Sequence, residues 1–403
     1  MSTPRTGDMV QIHLLTAYPA ALLNRDDAGL AKRIPFGGQT RIRISSQCLK
    51  KHWRDSRQIT ELGEQAVRST RIYEQLVGEP LVRQGASEQE ATAVAQYLMG
   101  ETVDTKPVKS KDGKDTARSG QLLVLTKAET NFLAELGADI LRRLREKGVT
   151  ATSAEEVKKN APVEDKEVRK MLRDQQLPAS LDTALFGRMV TSDLFARVDA
   201  AVSVAHAFTT HAEEAETDYF TAVDTLKTSE DDAGAGLIND TELTSGVFYT
   251  YAVIDMNQLR DNLGHQREST EQLGRNLVQA MTQVSPGAKR GSTAPYAYAE
   301  FVLLERGGEQ PRTLANAFLE PVRANGAGVM VASARKLLEH RRKLEEMYGD
   351  GEGKARLATI HELSSVGLSP VPLRQALDAI FAGCPPRARA PDPTARRAAA
   401  GMG

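Results

Sequence analysis

Nine cations crowd the stretch from Asn24 to Arg57: Arg25, Lys32, Arg33, Arg41, Arg43, Lys50, Lys51, Arg54 and Arg57, opposed only by Asp26, Asp27 and Asp55. The whole chain carries 52 Lys and Arg against 53 Asp and Glu, a net charge of -1, so this positive charge is local. Thr40 to Ile44 alternates as a strand does, which puts Ile42 and Ile44 on one face and Arg41 and Arg43 on the other. Ser45 or Ser46 then reads as the N-cap of a short helix. On that helix Lys50, Arg54 and Arg57 fall at i, i+4 and i+7, beside an apolar stripe of Leu49 and Trp53. A basic strand face that runs into a helix N-terminus suits a phosphate backbone. A charge run more often marks a solvated face. The tight, small-residue junction between the two elements favours phosphate, with Lys32, Arg41, Arg43 and Arg54 among the contacts.

Other chemistry is thin. The sequence holds no GxxxxGK[ST], no HExxH and no nucleophile elbow. Asp26 and Asp27 sit side by side on a loop, where neighbouring side chains diverge, and a two-metal site needs more converging carboxylates. They read as acids that hold Arg25 or the loop in place. His206 and His211 are five apart and lack further ligands in sequence, so no metal is expected. His13 reads as structural. The chain is therefore expected to be a binder and not an enzyme, with no cofactor. Cys48 and Cys384 have no metal-type spacing and form no disulfide framework, which fits a reducing compartment. The start lacks a signal-peptide pattern and no run reaches bilayer length, so a cytoplasmic protein is expected.

The elements that must position these residues follow from periodicity. Met9 to Thr16 reads as a strand with Val10, Ile12 and Leu14 on one face. Ala17 to Gly38 reads as a loop closed by paired glycines. From Ile59 to about Ala184 the texture turns helical, with helices over Glu88 to Met99, Leu122 to Lys147 and Pro162 to Gln176, and a capping box at Ser153 to Glu156. Lys106 to Gly120 reads as a polar loop inside that block. By composition Met189 is core filler. Val198 to Ala207 is a strand. Phe208 to Asp224 reads as strand, acidic turn (Ala212 to Thr217) and strand, a hairpin with Tyr219 and Phe220 beside Thr221. Those rings either wedge against bases or bury the hairpin base. Thr228 to Asp240 is an acidic loop. Strands over Gly246 to Met256 and Tyr296 to Leu304 flank a helix over Ser269 to Val284 and a basic turn at Pro286 to Gly291. Helices over Val331 to Tyr348 and Leu373 to Phe381 precede a disordered tail from Cys384. The result is an α+β chain with a split βαβ pattern of the ferredoxin or RNA-recognition type.

Ordered motifs carry a family resemblance: LNRDD (Leu23 to Asp27), FGG (Phe36 to Gly38), RIRISSQ-x-LK (Arg41 to Lys50), GRM-x-TS (Gly187 to Ser192) and H-A-x-TTH (His206 to His211). They continue as an aromatic followed by F-TAVD (Tyr219 to Asp224), then SGVFY (Ser245 to Tyr249), PGAK (Pro286 to Lys289) and ANAF (Ala315 to Phe318). In this order the chain resembles the CasC family, the repeated backbone subunit of the type I-E CRISPR complex Cascade. The resemblance implies a modified RNA-recognition-motif palm in three parts (1–58, 185–205 and 227–383), helical fingers (59–184), a β-hairpin thumb (206–226) and a tail (384–403). It implies that copies stack along the spacer of the CRISPR guide RNA, each gripping backbone phosphates, while a thumb displaces a nucleotide at intervals. Carried over by motif, Arg25, Ser45, Ser46, Gln47, Lys50, Lys51, Lys289 and Arg290 would contact RNA. Met189, Tyr219, Phe220 and Thr221 would flank the displaced nucleotide. The finger loop with Lys106, Lys109, Lys111 and Lys114 would hold target DNA. The implied partners are guide RNA, target DNA paired to it, further copies of the chain, and the large, small, repeat-end-capping and RNA-processing subunits, with no membrane. Two rivals are a CRISPR RNA-processing endoribonuclease on the same fold, with His13 or His206 as base, and an assembly protein whose basic patch meets acidic protein surfaces.

Overall fold

In a computed structural model of the 403-residue chain the described residues are 7–103, 105–163, 179–188, 197–213, 215–222, 237–324, 326, 328–349, 353–363 and 367–382. The fold is built on β1 (Met9–Ala21), an aliphatic strand buried on both faces. Val10, Ile12 and Leu14 enter one core, and Leu15 enters the core on the opposite face, as the period of two requires. The hairpin of β2 (Arg33–Phe36) and β3 (Gln39–Ile44) follows, then α1 (Ser46–Arg54) and α2 (Arg57–Thr60). Leu49 and Trp53 of α1 pack into the β1 core, as their stripe predicts.

A helical unit comes next, with its own core from Ile72 to Val163. It holds β4 (Val67–Ser69), a π-helical turn (Tyr73–Gly78), α3 (Glu79–Arg83), α4 (Glu88–Val103), β5 (Pro107–Val108), β6 (Arg118–Ser119), β7 (Leu123–Leu125), α5 (Lys127–Glu146) and α6 (Ala154–Asn160). Thr126 caps α5 in a full capping box with Glu129, so the helix expected from Leu122 starts later and β7 precedes it. Ser153 caps α6 by accepting from the Glu156 amide, but Glu156 turns back to the Thr152 amide (2.7 Å) and not to that of Ser153, so the expected capping box forms only in part. The loop expected over Lys106 to Gly120 instead holds a short ribbon, β5 paired with β6. The helix expected over Pro162 to Gln176 lies, from residue 164, outside the described residues, as does the tail from Cys384. Two ion pairs tie this unit to the returning chain: Arg68, half-buried, with buried Asp182, and the buried pair Arg188 with Glu129 at 2.6 Å.

The chain then returns through α7 (Leu181–Phe186), β8 (Val202–Val204) and β9 (Ala207–Thr209), so the strand expected over Val198 to Ala207 is broken in two. After β10 (Ala215–Ala222) comes β11 (Leu237–Asp255), longer than the strand read from Gly246 and reaching back into the expected acidic loop. α8 (Met256–Asn262), α9 (Arg267–Gln283), α10 (Arg290–Thr293), β12 (Phe301–Gly307), a 3₁₀ turn (Ala315–Phe318), α11 (Gly328–Tyr348), β13 (Lys354–Thr359) and α12 (Leu373–Ile380) complete the fold. β12 begins at Phe301, not Tyr296.

The main sheet runs β13-β12-β1-β11-β9-β3-β2, with β8 and β10 also on β11, antiparallel throughout. Its inner order β12-β1-β11-β8 is what a split βαβ arrangement produces. Residues of α1, α8, α9 and α12 fill the core on one face; α11 and the 3₁₀ turn cover the other. The expected hairpin is paired differently: β10 lies against the first half of β11, from Ala215 opposite Thr244 to Ala222 opposite Leu237. β9 instead bridges β3 and β11. Among the described residues no helix is long and apolar enough to cross a membrane.

Candidate nucleic-acid interface

The loop after β1 is built to present Arg25. The Asp26 carboxylate accepts from the amides of Ala28 (3.0 Å) and Leu30 (2.9 Å), and the Asp26 amide donates to the Leu30 carbonyl (2.8 Å). Asn24 fixes the loop to the next element by accepting from the Ser45 amide at 2.9 Å. Asp26 therefore serves loop geometry, as expected, and Arg25 is left exposed.

The paired glycines Gly37 and Gly38 turn β2 into β3 at φ 61° and 75°, a conformation most side chains avoid. Gly37 has a second constraint. A β-carbon there would lie 1.6 Å from the Leu319 carbonyl oxygen, so the hairpin tip seats directly on backbone.

Arg41 corrects the reading of β3 as one buried and one basic face. Its side chain is 0% exposed and donates to the carbonyls of Thr209 (3.0 Å) and Phe318 (2.9 Å). Both faces of β3 are covered at this point, so Arg41 is a staple that joins Thr209 of the H-A-x-TTH motif to Phe318 of ANAF and does not reach a ligand. Arg43 does stand at the surface, donating to the Arg33 carbonyl (3.1 Å) and lying 3.0 Å from His206 Nδ1.

Ser45 caps α1 by accepting from the Cys48 amide (3.3 Å) and is buried; Ser46 is half-buried and Gln47 exposed. Lys51 is exposed beside Asp55 at 2.9 Å, and Arg54 also reaches Asp55 at 3.1 Å. Lys50 is half-buried with its ammonium 5.8 Å from the centre of the Phe186 ring, and burial lowers its pKa. α1 ends at Arg54, so Arg57 starts α2 and pairs with Glu61, apart from the face it was expected to share.

The fold brings the basic turn to this helix. The Ala288 amide donates to the Leu22 carbonyl at 2.8 Å, which anchors the turn at the end of β1. Arg290 is exposed; Lys289 is half-buried and donates to the Thr241 hydroxyl. Electrostatics mark the convergence. Burial pushes the Cys48 thiol up, against the pull of Lys32, Lys51 and Arg290. Burial also lowers His52, and Arg290 and Lys51 add to that effect. His206 is lowered by burial and then by Arg43 and Lys32. Lys32 and Arg43 adjoin through the Lys32 carbonyl, which accepts from the Arg43 amide at 2.8 Å, and Lys51 and Arg290 act on Cys48 and His52 of α1, although these cations span more than 250 positions of sequence.

Three further residues shape this candidate site without a signal in the sequence for that role. His206 lies against the Arg43 guanidinium at 3.0 Å, a contact distinct from the metal or base role its residue type suggests. Glu242 takes the Ala31 amide at 2.6 Å and pairs with Arg33, which also meets Glu213 at 2.5 Å, so the base of the β10–β11 arm is clamped to the basic loop. Asn24 orients α1. No short-range signal points to Glu242, because its partners lie 209 and 211 residues away.

The remaining candidates lie elsewhere. Tyr219, Phe220 and Thr221 occupy β10 opposite Asp240, Asn239 and Ile238. Met189 lies outside the described residues; the preceding Gly187, at φ 77°, closes α7, and a β-carbon there would sit 2.9 Å from the Ala200 nitrogen. Lys106, Lys109, Lys111 and Lys114 are exposed at the β5–β6 ribbon of the helical unit, Lys109 being 3.7 Å from Asp115. His13 is 0% exposed, 2.9 Å from the Tyr249 hydroxyl and stacked on Tyr251, and burial lowers its pKa. Beside it, burial would raise Glu305, but His13 and Arg341 hold it down to about 2. His211 accepts from the Val247 amide at 3.2 Å. Among the described residues no group of three or more His, Cys, Asp or Glu is placed to hold a metal ion.

A family model described as CT1975-like protein matches residues 10–380. The chain is similar to a solved chain titled "CRISPR RNA-guided surveillance complex, pre-nicking", with TM-score 0.80, 26% identity, and coverage of 93% of this chain and 99% of that one. It shares its fold with a second, titled "CRISPR RNA-guided surveillance complex", with TM-score 0.71, 22% identity and the same coverage. No curated protein matches it.

Proposed function

The chain belongs to the CT1975-like protein family, and from that premise we propose that it is the repeated guide-RNA-binding subunit of a CRISPR surveillance complex, of the type I-E, CasC kind whose motifs it carries. The observation that carries this reading is that the fold brings Lys32 and Arg43 of the basic hairpin, Lys51 of α1 and Arg290 of the basic turn to one region, tied by the Arg43–Lys32 and Ala288–Leu22 backbone bonds. Such a cluster neutralises backbone phosphates without reading bases, which leaves sequence to guide–target pairing. Arg25, Ser46, Gln47 and Lys50 border the same helix and loop. Ser45 acts by holding the helix start.

In this reading the sheet is the palm, the helical unit the fingers, and the β10–β11 arm the thumb. Met189 and Tyr219 to Thr221 flank a displaced nucleotide, and Lys106 to Lys114 hold target DNA. Copies of the chain line up along one guide, alongside the other Cascade subunits, in the cytoplasm. The subunit does no chemistry of its own. The rival endoribonuclease gains no support from its proposed bases: His13 is buried, and His206 faces Arg43.

The test is to express the chain with a CRISPR array and the other subunits, then extract and size the bound RNA. A discrete guide-length RNA in a large particle is the expected result. RNA-free monomer with every partner present sinks the reading, and cleavage of repeat RNA by the purified chain restores the rival.

A further inference from the structure

The phosphate-binding residues leave a pair of tyrosines unexplained. Beyond the basic turn, burial alternates residue by residue: Ala297 and Ala299 pack against the β1 core, while Tyr296 and Tyr298 stand 73% and 67% exposed. That alternation belongs to an extended segment with one face turned outward. The backbone beneath the rings is pinned. Ala297 exchanges two hydrogen bonds with the Ser285 hydroxyl (3.0 and 2.9 Å), and the Ala299 amide donates to the Thr282 carbonyl at 2.9 Å. Ser285 also accepts from Arg290 through its carbonyl, at 3.3 Å. One residue therefore joins the tyrosine segment to Arg290 of the basic turn.

Aromatic side chains supply about 150–250 Å² of burial each. Two of them held in water on a fixed backbone forgo that contribution, beside a cluster suited to phosphates. We propose that Tyr296 and Tyr298 form a stacking platform for bases of the same single-stranded RNA whose backbone the α1 cluster holds; the proposal rests on the RNA-binding reading above. Cations along a backbone with rings beside them hold single strands without base readout, since every base has a π-face. The tyrosines would keep bases of the strand ordered where it passes the basic turn.

The test uses the full chain and two fluorescent oligonucleotides of equal length, oligouridine RNA and its abasic counterpart. The double variant Tyr296→Ala, Tyr298→Ala is expected to weaken oligouridine binding by about tenfold with the salt slope unchanged. Tyr296→Phe with Tyr298→Phe, which retains the rings, should bind as the parent does. On the abasic strand the parent and the alanine variant should bind alike. Three results overturn the proposal: a parent that binds RNA with the alanine variant equal to it, a loss that appears equally on the abasic strand, or intact RNA binding with altered sedimentation of the RNA-free chain, which would make the rings a contact between copies. A parent that binds neither strand refutes the RNA reading itself, so the two failures are distinguishable.

Discussion

Replacing Arg41 separates a buried staple from a ligand contact. Arg41→Ala removes two charge-assisted hydrogen bonds, to the Thr209 and Phe318 carbonyls, and leaves both acceptors inside the fold. A buried partner left unsatisfied costs about 1–3 kcal/mol. The long side chain also fills space against Phe36, whose ring centre lies 6.0 Å from the guanidinium carbon, so truncation opens a cavity. Together these give a loss on the order of 4 kcal/mol. The assay is denaturant unfolding followed by tryptophan fluorescence, because the chain has a single Trp and Trp53 is buried in the main core, which the β3 residues Ile42 and Ile44 also enter. The sheet transition should move to distinctly lower denaturant. Any RNA binding measured below that transition should keep the parental salt slope, since no phosphate contact is lost. Parental stability combined with a salt slope lower by about one refutes the staple and returns Arg41 to the RNA face.

Further outcomes follow from the same geometry. Lys50→Ala with Lys51→Ala should weaken RNA binding regardless of sequence and lower its salt slope by one to two, roughly, in titrations at several salt concentrations; unchanged slope and affinity count against α1 as the phosphate site. Gly246→Ala sets a β-carbon 2.6 Å from His211 Nε2, so it should destabilise the sheet by about 1–3 kcal/mol in the same fluorescence assay, and a neutral result would mean that His211 moves freely. Burial, then Arg43 and Lys32, hold His206 below its ordinary value, so it is neutral at pH 7 in the free protein. A phosphate seated there would raise that pKa, binding would take up a proton, and affinity should rise as pH falls from about 7 to 6. His206→Gln should flatten that profile, and equal pH dependence in parent and variant removes the histidine from the site.

Much of the scaffold was legible because its signals are local. The aliphatic alternation of β1, the Ser45 cap with the Leu49–Trp53 stripe of α1, and the helix read over Ser269 to Val284, which is α9, each rest on signals within one element. What escaped was set by distant partners. Ile42 and Ile44 face inward as the alternation implies, but Arg41 is buried because Thr209 and Phe318 close over it. β10 pairs with β11 and not with its nearer neighbour β9, because strand choice depends on register across the whole sheet. The clustering of Lys32, Lys51 and Arg290 needed the anchor between Ala288 and Leu22, which periodicity does not encode. The glycines of FGG and SGVFY were visible as motifs, whereas their reasons, the Leu319 carbonyl and the His211 ring, appear only in three dimensions.

The pairing of β1 also sets the order in which the protein can be made. Leu15 lies opposite Tyr249 on one side and Phe301 on the other, so β1 must wait for both of its sheet partners until well over half of these residues are made. At about 5–20 residues per second the wait between them is on the order of 15–60 s. The helical unit, whose core closes within residues 72–163, can fold during that interval. The cations between Asn24 and Arg57 leave the ribosome early, before Glu213 and Glu242 arrive to pair with Arg33 and before Arg290 joins the cluster. For that period the nascent chain carries a loose polycation, and it becomes a shaped basic surface only once β12 is in place.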